Sequence, residues 1–198
     1  MTHTRLLVLA ALAIVAGLLA APAQAAPKGE CLWNGTSKAA RNGYLQQYRT
    51  LGAQALEQMK FGDELAESFP ACGVATDYEA SFEAGAILGT MIMEHGAELV
   101  LSEEAGTAVG TMPGLWRDLP EADRDTLRAF ARGLIGKDGE DKRVTEAAVV
   151  VMSRMTEKVD VAESLNSHIA VYFISRATRE VLEAGGMPKA ADRAGGQR

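Results

Sequence analysis

An all-α fold follows from three properties of this 198-residue chain. Apolar residues recur at three- and four-residue steps along most of its length, the spacing that gathers side chains on one face of a helix. Valine and isoleucine occur, but not in alternating runs bounded by turn residues, so strands find no support. Residues 77–104 run without proline and contain an uncharged apolar segment at 84–93. Together these predict an irregular bundle of about five main helices, tied by one disulfide.

The N-terminus reads as an export signal. Arg5, an apolar core ending at Ala20, Pro22 and the Ala23-Gln24-Ala25 triplet supply the basic region, core and cleavage site of a signal peptide over 1–25. The core, about 15 residues, is short against the roughly 20 that span a bilayer. Cys31 follows Lys28-Gly29-Glu30 and not an apolar lipobox. The expected product is a soluble periplasmic or secreted protein without stable membrane insertion. Cleavage takes away one cation, Arg5, and no acid, so the formal net charge of −6 becomes one unit more negative. That balance argues against nucleic acid as a partner.

Residues 26–35 read as an extended N-terminal arm, pinned by Cys31 and by burial of Trp33. Cys31 and Cys72 are the chain's two cysteines. In an oxidising compartment they pair most simply with each other, closing a loop worth roughly 4 kcal/mol in chain entropy. A helical domain spans 36–184. Its first helix is capped by Thr36 or Ser37, and Leu45, Tyr48, Leu51, Ala55, Leu56 and Met59 form its apolar stripe. Gly62 ends or bends it, and a short piece from Asp63 runs to Pro70.

The central helix, 77–104, starts at a cap from Asp77. One side gathers Gly85, Gly89 and Gly96 with Tyr78, Phe82 and Val100; the other gathers Glu79, Glu83, Thr90, Glu94 and Glu98. The glycines read as a seam for close approach by the final helix. On that reading Gly89→Leu destabilises the fold far more than Glu94→Gln. Gly106, Gly110 and Gly114 then mark a flexible connector. It lacks the Gly-Lys-Ser/Thr ending of a P-loop, so it carries no phosphate-binding reading. Pro120 and Glu121 open the next helix, which ends at Gly136. Its wet side carries Arg124, Arg128 and Arg132, offered as partners for an acidic face elsewhere. A further helix begins at 138–141 with a stripe from Val144 to Val159. Asp160 and Glu163 form a capping box for a final helix that reaches Ala184, and 185–198 read as a disordered tail.

Chemistry is sparse. The histidines left after processing, His95 and His168, stand in neither Glu-x-x-His nor His-Glu-x-x-His, so no metal or cofactor is expected. Ser164, His168, Tyr172 and Arg179 lie along one side of the final helix, but without a nucleophile elbow no catalytic residue is assigned. With His95 they are the candidates to line a ligand pocket. The leading expectation is a binding or accessory protein that engages a protein partner or a small apolar ligand. The alternatives are an envelope hydrolase using Glu94 or Glu98 with His95, and a purely structural or stress-related envelope protein.

Overall fold

The computed structural model describes residues 28–59, 61, 63–136 and 141–186. The expected signal peptide and residues 187–198 of the expected tail lie outside them. All regular structure among the described residues is helical, as the periodicity predicts. The helices are α1 (Lys28–Gly35), α2 (Lys38–Leu51), α3 (Ala55–Gln58), α4 (Asp63–Ser68), α5 (Tyr78–Ala105), α6 (Thr111–Asp118), α7 (Glu121–Ile135), α8 (Lys142–Thr156) and α9 (Asn166–Glu183).

Capping residues set the boundaries. The Ser37 hydroxyl accepts from the Ala40 N–H and starts α2. Asp77 accepts from Ala80 and starts α5, and Asp141 accepts from Arg143 and starts α8. Gly106, at φ 65°, closes α5 in the left-handed conformation that glycine adopts without penalty.

Four elements depart from the sequence reading. The first helix, expected to run through Met59, ends at Leu51, where Gly52 at φ 58° turns the chain into a 3-10 turn before α3; Gly62, the expected end, lies outside the described residues. The expected extended arm is instead helix α1, whose Leu32 and Trp33 are buried against α5. At eight residues it is too short to persist alone, since isolated helices shorter than about 12 residues are marginal. Tertiary burial and the Cys31–Cys72 bond, with a Cα–Cα distance of 5.6 Å, fold it. The expected flexible connector contains helix α6, which buries Met112 and Trp116. Pro113 sits in its first turn, where the missing N–H has no helical partner to lose. The final helix begins later than expected: a 3-10 turn at Glu163–Leu165 precedes Asn166, and Leu165 gives no side-chain cap.

α5 is the axis of the molecule. By length and composition it could cross a membrane, yet 72% of its most apolar window is buried inside the protein. It packs most extensively against α9, with α2 and α1 on its other sides, and α7 and α8 cover α9. Two apolar clusters result. The larger joins the C-terminal half of α5 to Tyr48, α6, α7, α8 and α9. The smaller joins its N-terminal half to Leu32, Trp33, Leu65, Phe69 and Leu182.

Candidate functional site

The residues singled out in the sequence are dispersed among separate neighbours. Arg179 of α9 is 1% exposed and Glu94 of α5 is 5% exposed, and they face each other across the main helix contact. Arg179 Nε donates to Glu94 Oε1 at 2.6 Å and Nη2 donates to Oε2 at 3.0 Å, a bidentate fork. Arg176 Nη1 stands 3.5 Å from the same Oε2. Arg179 Nη1 lies 3.6 Å from Glu183 and 3.9 Å from Glu30. The α1 backbone closes over this pair. The Gly29 N–H donates to Glu183 at 2.8 Å, and a Cβ on Gly29 would come within 2.8 Å of Arg179 Cδ. Burial pushes the Glu94 carboxyl up to about 7, against the pull of Arg179.

The ladder continues along α9. Glu180 accepts from Trp116 Nε1 and from Arg128 Nε, each at 2.9 Å, and Arg128 also reaches Glu121 and Asp125. Arg124 and Arg128 therefore pair within α7, and Arg128 also with α9. The cations that meet Glu94 come from α9.

His95 stacks on Trp33 with ring centroids 4.4 Å apart, and its buried Nε2 has no protein hydrogen-bond partner. Burial depresses its pKa, favouring neutral imidazole. His168 shares a 2.8 Å hydrogen bond with the buried Tyr48 hydroxyl through Nδ1. Burial lowers the imidazole pKa and raises that of the phenol, so the bond joins a neutral imidazole to a neutral phenol. Tyr172 is buried beside Phe173, and its phenol pKa is raised by burial and by the nearby Glu94 charge. Ser164 is exposed on the 3-10 turn. Glu98 accepts from the Gly110 N–H at 2.6 Å, anchoring the turn before α6. Glu94, Glu98 and His95 are thus each engaged by a different neighbour, and none of them lines the grooves described next.

The accessible concave surface lies elsewhere. A groove of about 770 Å³ runs past the disulfide, lined by Asn34, Ser37, Glu67 and Ser68 among others. A smaller one of about 480 Å³ lies at the end of α9, beside Arg128, Arg132 and Glu180. The third, about 730 Å³, is built on α5 and is predominantly apolar. Gly85, Ala86 and Gly89 are its floor, Leu56 and Phe61 one wall, and Ile135 and Leu182 the other. Tyr78, 76% exposed, and Phe82, 45% exposed, stand at its α5 N-terminal end with stacked rings 6.3 Å apart. Ser81, Thr90 and Thr178 are polar lining residues, and among the described residues no carboxylate, amine or guanidinium lines it.

This groove divides the glycine seam. A Cβ on Gly96 would enter the Tyr48 ring, so Gly96 admits α2 to α5. A Cβ on Gly85 would meet only Phe61, at an ordinary 3.6 Å, and one on Gly89 only the mobile end of Leu56 (3.1 Å) and Phe61 (4.0 Å). The seam's partners are α2, Leu56 and Phe61, where the sequence reading expected the final helix. Among the described residues, no group of three or more His, Cys, Asp or Glu side chains could hold a metal ion. No family model, curated protein or solved structure matches this chain.

Proposed function

We propose that this is an exported binding or accessory protein that holds a small apolar ligand in the groove on α5. The groove itself carries the reading. Its volume of about 730 Å³ lies in the range of small-molecule sites, and its lining is apolar with a few hydroxyls. Gly85 and Gly89 strengthen it. A helix-interior glycine costs about 0.5–1 kcal/mol relative to alanine, and here a Cβ at either position would meet only Leu56 and Phe61, side chains that line the groove. Export is supported by the Cys31–Cys72 disulfide, which suits an oxidising compartment, together with the signal-like N-terminus.

Titration of residues 26–198 with the fluorophore 1-anilinonaphthalene-8-sulfonate tests the reading. Saturable binding to the native protein is expected, and Gly85→Leu should remove it by filling the groove. Because Leu replaces a poor helix former, and a Cβ at 85 meets only Phe61 at an ordinary 3.6 Å with the groove beyond it, the variant should stay folded. Binding that persists unchanged in Gly85→Leu would place the apolar site elsewhere and defeat the proposal.

A further inference from the structure

Independently of the groove on α5, we propose that the Cys31–Cys72 bond is an exchange site for a dithiol reductant, and that its opening releases α1 from over Arg179 and His95. Access is the first observation. Both cysteines are half-buried and line the groove of about 770 Å³, so a thiolate can reach a sulfur from solvent. The step is thiol–disulfide exchange. One thiolate of the dithiol attacks one sulfur, the Cys31–Cys72 bond breaks, and the other cysteine leaves as a thiolate. The second dithiol sulfur then displaces the first from the protein, giving a cyclic disulfide and two free cysteines. Two electrons pass to the cysteine pair, and two protons follow them.

What the bond holds is the second observation. It ties α1 to the 3-10 turn at Pro70–Cys72, and toward α2 the chain continues through Thr36 and Ser37. Once it opens, α1 is held by burial of Leu32 and Trp33 and by polar contacts from Lys28 to Glu83, Gly29 to Glu183 and Arg41 to the Trp33 carbonyl. Release relieves a cost as well. Gly29 packs so closely that a Cβ there would come within 2.8 Å of Arg179 Cδ. Trp33 covers His95, whose buried Nε2 has no partner among the described residues. Lifting α1 lets water reach that nitrogen and the Arg179–Glu94 pair, groups that are costly to keep dry. Among the described residues, the larger apolar cluster contains no residue of α1 and neither cysteine, so opening disturbs the smaller cluster alone.

Hydrogen exchange and diethyl pyrocarbonate labelling of residues 26–198, with and without excess dithiothreitol, test the proposal. The bond should be reduced in native buffer without denaturant. Amide exchange from Cys31 to Gly35 should then quicken at least about tenfold, while α5 and α9 keep their protection. The pyrocarbonate, which labels accessible neutral imidazole, should modify His95 faster in the reduced protein. His168, which faces Tyr48 and not α1, is the internal reference and should be unchanged. Cys31→Ser with Cys72→Ser should match the reduced protein in both readouts, whether or not dithiothreitol is present. A bond that resists dithiothreitol in the native protein would overturn the exchange site. Reduction that leaves α1 exchange and His95 labelling as they were, or that exposes α5 and α9 together with α1, would overturn the release and make the bond a structural staple.

Discussion

At the scale of single residues, the most consequential contact is the one most easily mistaken for surface. Glu94 and Glu98 are one helical turn apart, where like charges repel by a few tenths of a kcal/mol on an exposed helix. The molecule separates their roles: Glu98 holds the Gly110 backbone, and Glu94 is buried in the Arg179 fork. Removing one member of a buried pair strands the other and typically costs about 3–5 kcal/mol. Glu30 and Glu183 lie within 3.9 Å of Arg179, so Glu94→Gln should fall near the low end of that range. A Cβ at Gly89 meets only the flexible end of Leu56 and a Phe61 edge, with the groove beyond it, so Gly89→Leu should cost far less. This reverses the order that the glycine pattern alone suggests. Urea unfolding of the two variants decides it, and a smaller loss for Glu94→Gln would show that the ion pair is not a structural linchpin.

At the scale of helices, the seam on α5 makes a second, independent prediction. Gly85→Ala removes a helix-interior glycine without crowding and should stabilise by about 0.5–1 kcal/mol. Gly96→Ala drives a methyl into the Tyr48 ring and should destabilise by about 1–3 kcal/mol, the usual cost of overpacking. Thermal melts of equal sign for both would refute the division of the seam. Periodicity made α5, α7, α8 and α9 legible, because each buries a stripe long enough to repeat. It failed at α1 and α6. Lys28–Gly35 and Thr111–Asp118 are too short to show a period, and glycine and proline in them mimic loop chemistry. The candidate site was legible by half. Tyr78, Phe82, Gly85 and Gly89 share a helix side in the sequence. The walls at Leu56, Phe61, Ile135 and Leu182 come from remote segments, which no local pattern joins to α5. Arg179 stood among the pocket candidates because four-residue spacing aligns it with His168. Spacing carries no information on depth, and Arg179 is spent on Glu94.

At the scale of the whole molecule, the buried groups oppose one another in pH. Burial holds His95 and His168 below their ordinary 6.5. Their contribution is complete above that value and is lost as pH falls through their folded values, because the unfolded chain takes up those protons first. Glu94 has the opposite sign. Its carboxyl is raised from 4.5 to about 7, so its contribution is complete below 4.5 and is lost as pH rises through about 7. Between about pH 5 and 7 the two effects pull the stability curve in opposite directions. His168→Asn keeps an acceptor for the Tyr48 hydroxyl and removes one acid-sensitive group. Its stability should therefore fall more steeply, or rise less, with increasing pH than that of the parent. Glu94→Gln removes the opposing group, so its stability should climb more steeply with pH across the same window. Urea unfolding at three pH values compares the slopes. Parallel curves for the parent and both variants would mean that neither buried contact is linked to proton binding.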